Sequence, residues 1–173
     1  MCIRDRGNQD TIYTGAKFTR LYFKDCYIDG TTDFIFGPST ALFENCMIHS
    51  KRNSYVTAAS TPKEAKYGYV FKHCKLTAEP GVDKVYLGRP WRPYAYTLFI
   101  ECELGKHIVP AGWHNWGKQS NEETARYMEY KNTGEGANVS ERVAWSKQLT
   151  KKEAEAVTVD AIFGTQSNWN PID

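Results

Sequence analysis

The sequence predicts an all-β fold, a parallel β-helix in which the chain coils through stacked strands. The main observation is one pattern, Phe-x-x-Cys-x-Ile/Leu, that occurs four times: Phe23–Ile28, Phe43–Ile48, Phe71–Leu76 and Phe99–Leu104. One shorter step between copies is followed by two equal, longer ones, and such unequal steps are typical of a solenoid with loops of different length. A length of 173 residues with 41% hydrophobic residues is sufficient for one domain with its own core.

Charge and composition narrow the function classes. The chain has 22 basic and 20 acidic residues, a formal charge of +2, and no basic cluster, which argues against a nucleic-acid or anionic-membrane surface. The apolar runs are only a few residues long, so the sequence predicts no membrane span. Aromatic residues make up 14%, a share that suits stacking against sugars or nucleobases, although cores also use aromatics.

The first six residues contain neither a signal peptide nor a patterned element, because no apolar stretch is long enough. We therefore expect residues 1–6 to be a non-native leader and residues 7–173 to form the domain.

The four repeat cysteines are expected to be free thiols stacked inside the coil. Each Cys is two residues from an Ile or Leu, so the two share one face of a strand. An even count permits disulfides, but equivalent strand positions favour small buried hydrophobes instead. Zinc is disfavoured because no Cys-x-x-Cys pair occurs and His73, next to Cys74, points to the opposite face. No metal is expected.

The last third of the chain predicts a strand, a loop and a covering helix. Residues 126–131 read as a strand and residues 132–138 as a Gly- and Asn-rich loop. Thr150 and Glu153 form a capping box that opens a helix to about Phe163, ended by Gly164. This C-terminal helix is expected to pack on the solenoid. Asn138 begins a glycosylation sequon, used only in a eukaryotic host.

Three charged residues are candidates for a catalytic cluster. Taken singly, Asp10, Asp33 and Arg89 read as turn caps or surface charges. However, the separation of Asp10 and Asp33 falls within the range of the repeat steps, one coil, and that of Asp33 and Arg89 is twice the longer step, two coils. The spacing therefore predicts two carboxylates side by side with a guanidinium in reach. One carboxylate would hold a proton, and the one paired with Arg would stay ionised.

Several longer motifs carry a resemblance to a known family. They are Gln9–Tyr13, Tyr27–Gly37, Tyr86–Trp91, Pro110–Trp116, Tyr130–Asn138 and Arg142–Trp145. In this order they resemble the motifs of the pectin methylesterases (pectinesterases), over Gly7 to Pro171. The resemblance implies a right-handed single-stranded parallel β-helix, in agreement with the repeat, and implies no cofactor.

The resemblance also implies roles for individual residues. Asp33 matches the nucleophile that attacks the C6 methyl ester of galacturonate, and Arg89 matches its hydrogen-bond partner. Asp10 matches the general acid and base, and Gln9 matches an oxyanion-hole donor. The positions that match aromatics lining the pectin groove are Trp91, Trp113, Tyr13 and Phe36.

The expected substrate is methyl-esterified pectin (homogalacturonan). The protein is therefore expected to act outside the cell after secretion, or in a periplasm. The family has further upstream coils, so we expect this chain to be an N-terminally truncated part of the catalytic domain and the full-length protein to be a monomer. Two alternatives remain open. A noncatalytic polysaccharide-binding β-helix would use the same aromatics, and a pectate lyase would need calcium-binding acidic residues and an Arg or Lys base.

Overall fold

Three parallel β-sheets run side by side along one axis in the computed structural model, which describes residues 4–164. As far as Ile100 the chain enters the three sheets in strict rotation, so each coil gives one strand to each sheet. Each strand pair between consecutive coils is parallel, as in Tyr27–Gly30 with Met47–Ser50 and Thr40–Glu44 with Tyr69–Lys72. The predicted all-β parallel β-helix is confirmed.

The strands are short, as expected where every coil must turn three corners. Sheet 1 contains β1 Arg4–Arg6, β4 Tyr27–Gly30, β7 Met47–Ser50, β10 Lys75–Ala78 and β13 Glu103–Leu104. Sheet 2 contains β2 Ile12–Tyr13, β5 Ile35–Gly37, β8 Tyr55–Ala59 and β11 Tyr86–Gly88. Sheet 3 contains β3 Arg20–Lys24, β6 Thr40–Glu44, β9 Tyr69–Lys72, β12 Tyr96–Ile100, β14 Arg126–Tyr130 and β15 Lys147–Gln148.

The N-terminal residues differ from the sequence prediction. Arg4–Arg6 form β1 and pair in parallel with Tyr27–Asp29 of β4. The expectation of no patterned element in residues 1–6 is therefore wrong for these three positions, because main-chain pairing needs no hydrophobic pattern of its own. Residues 1–3 lie outside the described range.

The phenylalanines of the repeat form one column inside the helix. Strand register places Phe23, Phe43, Phe71 and Phe99 opposite one another in consecutive coils. Their ring centroids are 4.7, 4.5 and 4.4 Å apart, and no interplanar angle exceeds 9°. Each ring thus covers the faces of its neighbours, and offset contacts of this kind add to the burial of apolar area. The column ties the coils together along the axis.

The cysteines form the second column, as predicted. Cys26, Cys46, Cys74 and Cys102 are buried thiols that form no disulfide. The Sγ atoms of the last three lie 3.4 to 3.5 Å from the carbonyl oxygen of the repeat phenylalanine in the preceding coil. The hydrogen bond with Cys74, together with burial, raises the pKa of the Cys46 thiol, and burial raises the pKa of the Cys74 thiol. Both thiols therefore stay protonated.

A tight corner, which the sequence did not predict, lies between each phenylalanine and its cysteine. The residue before each cysteine has a left-handed conformation with φ between 52° and 54°: Asp25, Asn45, His73 and Glu101. The main-chain N–H of each donates to a carbonyl of the next coil, so the corner stays within the ladder. The sequence predicted that each cysteine lies within a strand. Instead, each cysteine lies one residue before the start of its strand in sheet 1.

The C-terminal helix was predicted as one element but consists of two. Thr150 and Glu153 form the predicted capping box at the start of α2, Lys151–Glu155. The chain then turns, and Thr158 caps α3, Val159–Phe163, by accepting a hydrogen bond from the N–H of Ala161. A threonine side chain that accepts a hydrogen bond from a main-chain N–H favours the start of a new helix at its position. Gly164, with φ 77°, ends α3 as predicted.

These helices cover the outer face of sheet 3. Val157, Ile162 and Phe163 pack with Leu42 and Leu98 in a second apolar cluster outside the coil. Lys72 Nζ donates to the Val157 carbonyl at 2.9 Å and Arg20 Nη1 donates to the Phe163 carbonyl at 2.7 Å. The predicted packing of a C-terminal helical segment on the solenoid is confirmed.

The segment before these helices contains the remaining short elements. The predicted strand is β14, and it follows a short helix α1, Ser120–Thr124. The loop after β14 includes a 3₁₀ turn at Glu135–Ala137. No helix within residues 4–164 is long and apolar enough to cross a membrane.

We expect Phe71→Ala to destabilise the protein by about 3–5 kcal/mol, because it removes a buried ring stacked on both faces. Phe23→Ala is the matched control. Phe23 is only partly buried and stacks on one neighbour in the described coils, so its loss should cost clearly less. Denaturant titration measures the free energy of unfolding of both variants. Equal decreases would contradict the view that an inner ring of the column contributes more than the ring at its end.

We expect the four repeat cysteines to react with a thiol reagent only after unfolding, since all four are buried thiols that form no disulfide. The measurement is thiol titration without reductant, before and after addition of denaturant. Failure to find these four thiols in the unfolded chain would contradict a ladder of cysteines that form no disulfide.

Candidate active site

The two candidate carboxylates occupy equivalent positions in consecutive coils, just before β2 and β5. Asp10 and Asp33 both have a left-handed backbone, with φ 55° and 50°. The Asp10 N–H donates to the Thr32 carbonyl at 3.1 Å, and the Asp33 N–H donates to the Tyr55 carbonyl at 2.9 Å. Asp and Asn tolerate this conformation better than most residues. The ladder therefore sets both carboxylates at the same edge of sheet 2.

Arg89 follows β11 and reaches back across two coils to Asp33. Its Nε lies 3.0 Å from Asp33 Oδ1 and its Nη2 lies 2.7 Å from Asp33 Oδ2, a two-bonded pair. The preceding Gly88 passes so close to Thr57 that an added Cβ would lie 2.1 Å from the Thr57 hydroxyl. A glycine is needed at this close approach. The predicted contact between Asp33 and Arg89 is confirmed.

The pKa of Asp33 is raised, contrary to the expectation for a carboxylate paired with arginine. Burial is the largest cause, since only 6% of the residue is exposed. The hydrogen bonds and charge of Arg89 lower the pKa, and the nearby Asp10 charge raises it. Desolvation penalises the charged form more than one arginine compensates. Asp33 is thus a desolvated carboxylate held in one orientation.

A pocket of about 250 Å³ joins the candidate residues. It is lined by Gln9, Asp10, Asp33, Phe36, Ala58, Arg89, Trp91 and Trp116. The sequence had selected six of these eight. Within residues 4–164, no group of three or more His, Cys, Asp or Glu side chains could hold a metal ion.

Aromatic rings that are at least partly exposed continue from the pocket along sheet 2. Tyr13 and Phe36 are in register, with ring centroids 5.0 Å apart, and Phe36 lies 5.9 Å from Trp91. Tyr13 is 57% exposed and Trp91 is 37% exposed. These three rings, hereafter the aromatic strip, offer apolar faces of the kind that pack on sugar rings.

Trp113 does not belong to the groove, and its assignment there is wrong. It is 1% exposed, stacks on Tyr127 at 4.3 Å, and donates from Nε1 to Glu129 Oε1 at 3.3 Å. Its main chain pairs with that of Gly88 through an isolated parallel β-bridge, which extends sheet 2 by one position. The alternation of strand faces therefore points its ring into the core.

Two residues that contact Arg89 were missed by the sequence analysis. Trp116 lines the pocket, and Tyr55 lies beside the Arg89 guanidinium. Spacing could have found both, because Tyr55 follows Asp33, and Trp116 follows Arg89, by close to the length of one coil.

A buried ion pair holds the segment that carries Trp116. Arg142 Nε donates to Glu129 Oε1 at 2.8 Å, and both side chains are almost fully buried. The other guanidinium nitrogens donate to the carbonyls of Pro110 at 2.8 Å and Gly136 at 2.7 Å. Because its donors are satisfied, this pair avoids the cost of an unpaired buried charge, and it fixes the loop from residue 110 onward.

Comparison with known proteins identifies the family. The family model described as Pectinesterase matches residues 2–166. The chain belongs to the pectinesterase family. Pectinesterase 31 of Arabidopsis thaliana is 44% identical over 149 residues, which cover 86% of this chain and 46% of that protein. This pectinesterase chain therefore spans about half the length of the curated relatives it matches.

Solved pectin methylesterases share the fold. The carrot enzyme superposes with a TM-score of 0.86 at 33% identity, covering 93% of this chain and 55% of the carrot chain. A pectin methylesterase in complex with a hexasaccharide has a TM-score of 0.78 at 30% identity, covering 97% and 57% of the two chains. The fold implied by the sequence resemblance is confirmed.

We expect two substitutions around Asp33 to move its pKa in opposite directions. Arg89→Met removes the groups that lower the pKa and should raise it further, whereas Asp10→Asn removes a charge that raises it and should lower it. Titration of the ¹³C-labelled Asp33 carboxyl by NMR measures both shifts. Movement of both variants in one direction would contradict this account of the site's electrostatics.

Proposed function

We propose that the site belongs to a pectinesterase that hydrolyses C6 methyl esters of polygalacturonate to pectate and methanol. The observation that carries the proposal is the two-bonded Asp33–Arg89 pair beside Asp10, in a pocket continued by the aromatic strip. Membership of the pectinesterase family supports it. A hexasaccharide complex of a relative with the same fold supports a sugar polymer as the ligand.

In the first half of the reaction, Asp33 is the nucleophile. One carboxylate oxygen attacks the ester carbonyl carbon while Arg89 holds the other oxygen in place. The side-chain N–H groups of Gln9 donate to the oxyanion that forms, a contribution worth about 3 kcal/mol in other hydrolases. Asp10, in its acid form, gives its proton to the departing methoxide, and methanol leaves. The product is an acyl-enzyme on Asp33.

In the second half, water cleaves this anhydride. Asp10 is now a carboxylate and accepts a proton from the attacking water. The carbon–oxygen bond to Asp33 breaks, which restores the Asp33 carboxylate and its bonds to Arg89. Burial favours Asp33 in this role, because a desolvated carboxylate with a raised pKa is a stronger nucleophile than one in water.

A noncatalytic polysaccharide-binding β-helix is the second candidate, because the exposure of Tyr13 and Trp91 would serve binding alone. A pectate lyase is less well supported. Its base would have to be a free arginine or lysine, whereas both Nε and Nη2 of Arg89 are engaged by Asp33.

The remaining parts of the proposal concern the whole protein. We propose that residues 7–173 are part of a longer catalytic domain that acts as a monomer. Pectin is a cell-wall polymer, so an enzyme acting on it works after secretion or in the periplasm.

We expect the chain to release methanol from highly methylated pectin, and Asp33→Asn to reduce the rate by at least about 10³-fold, since the amide cannot attack the ester. Asp83→Asn is the matched control, because Asp83 is an exposed aspartate that does not line the pocket. Circular dichroism establishes equal folding of all three proteins.

The outcomes separate the candidates. Equal release by the wild type and Asp33→Asn would remove Asp33 as the nucleophile. Binding of pectin without methanol from any variant would favour the noncatalytic β-helix. Product absorbance from a new double bond would indicate a lyase.

A further inference from the structure

The guanidinium of Arg89 lies between two aromatic rings. Its Cζ is 3.9 Å from the ring centre of Tyr55 and 3.8 Å from that of Trp116. The edge of the guanidinium faces Asp33, to which Nε and Nη2 donate. Both faces and one edge of the cation are therefore engaged. On the basis of the proposed esterase site, we propose that Tyr55 and Trp116 are positioning residues that clamp Arg89 and thereby hold the nucleophile Asp33.

Tyr55 is held by contacts with the coils on both sides of its own. Tyr55 begins β8 and stacks on Tyr86 of the next coil, with centroids 5.3 Å apart and an interplanar angle of 21°. The carbonyl of Tyr55 also accepts the main-chain N–H of Asp33 at 2.9 Å. One residue thus fixes the backbone of the nucleophile and one face of its arginine. A movement of β8 would change both contacts together.

Trp116 is fixed by the turn in which it lies. Its φ is 63°, and its N–H donates to His114 Nδ1 at 3.0 Å. Asn115 accepts from the N–H of Gly117 at 2.8 Å and donates to Glu122 Oε1 at 2.7 Å. A bulky residue in the left-handed region is rare without such support. The turn places the indole over Arg89 and at the pocket wall.

The clamp solves a chemical problem at this site. A guanidinium is weakly hydrated and planar, so aromatic faces bind it well while its fork remains free for a carboxylate. Hydrolysis of the ester creates a new carboxylate in the pocket, which could compete with Asp33 for Arg89. Rings on both sides limit the rotation of the guanidinium away from Asp33. Lysine could not be held in this way, because an ammonium has no plane.

The ionisable groups around Asp33 allow the effect of the clamp to be measured through the pKa of Asp33. Burial, and then the Arg89 charge, lower the pKa of His114, and burial raises the pKa of Tyr127 well above its usual value. Both groups are therefore neutral at neutral pH, and Asp10 is the other carboxyl whose charge, when it is ionised, acts on Asp33. A looser Arg89 should appear directly as a higher pKa of Asp33.

The test uses the intact chain and compares variants that lose an aromatic ring with variants that keep one. Tyr55→Leu and Trp116→Leu should speed hydrogen exchange of Arg89 Nε–H roughly tenfold and raise the pKa of Asp33. They should lower kcat more than they raise KM and move the acid limb of the rate profile to higher pH. Tyr55→Phe and Trp116→Phe should restore near wild-type values. Trp91→Leu is the control for the exchange and pKa readouts only, because Trp91 lines the same pocket and its ring contacts Phe36.

Several results would overturn the clamp. Unchanged exchange and an unchanged Asp33 pKa in both leucine variants would do so, as would phenylalanine variants as impaired as the leucine ones. Equal acceleration of Arg89 exchange by Trp91→Leu would show that any pocket change loosens the pair. If one leucine variant unfolds, the other decides, because the two rings belong to different coils. Absence of methanol from the wild type would contradict the esterase proposal alone, since the exchange and titration readouts need no turnover.

Discussion

The in-register parallel ladder between coils is the constraint on which this structure depends. Main-chain N–H groups of the strands donate to carbonyls of the neighbouring coils, so a residue's position within its coil fixes its neighbours above and below. Phe43 must therefore lie between Phe23 and Phe71, and the same rule stacks the cysteines. The ladder also brings Asp10 and Asp33 to equivalent positions. Core and site follow from one geometric repeat, although they use different faces of the coil.

The site illustrates how a rigid coil sustains an unfavourable electrostatic arrangement. Asp33 is removed from water next to another carboxylate, and both effects oppose its ionisation. A flexible loop would relieve the strain by exposing the carboxylate. In this coil the backbone of Asp33 is bonded to Tyr55, and Arg89 is anchored through its N–H to the Thr57 carbonyl at 3.0 Å. The cost is borne by a scaffold with a large buried core, as is common at functional sites.

The sequence predicted features that recur and missed those that occur once or depend on local conformation. The Cys column and the cluster of Asp10, Asp33 and Arg89 could be predicted because coil spacing is visible in residue numbers. The inward orientation of Trp113 could not be seen from its motif, since residue type does not reveal which face of sheet 2 it occupies. The left-handed corner was hidden because its four positions share no residue type and Glu101 is not a residue that favours positive φ. The break between α2 and α3 depends on Thr158, whose capping role competes with helix continuation.

The left-handed corner between sheet 3 and sheet 1 has the same length in every coil, while the rest of the coil varies in length from one repeat phenylalanine to the next. The variation is confined to the connections on the two sides of sheet 2. One extra residue at the corner would turn each following side chain to the opposite face. Segments such as 60–68 can instead grow or shrink without moving a column. Peptide insertions there would enlarge the surface beside sheet 2 on an unchanged frame, which makes these segments a natural place to engineer new recognition.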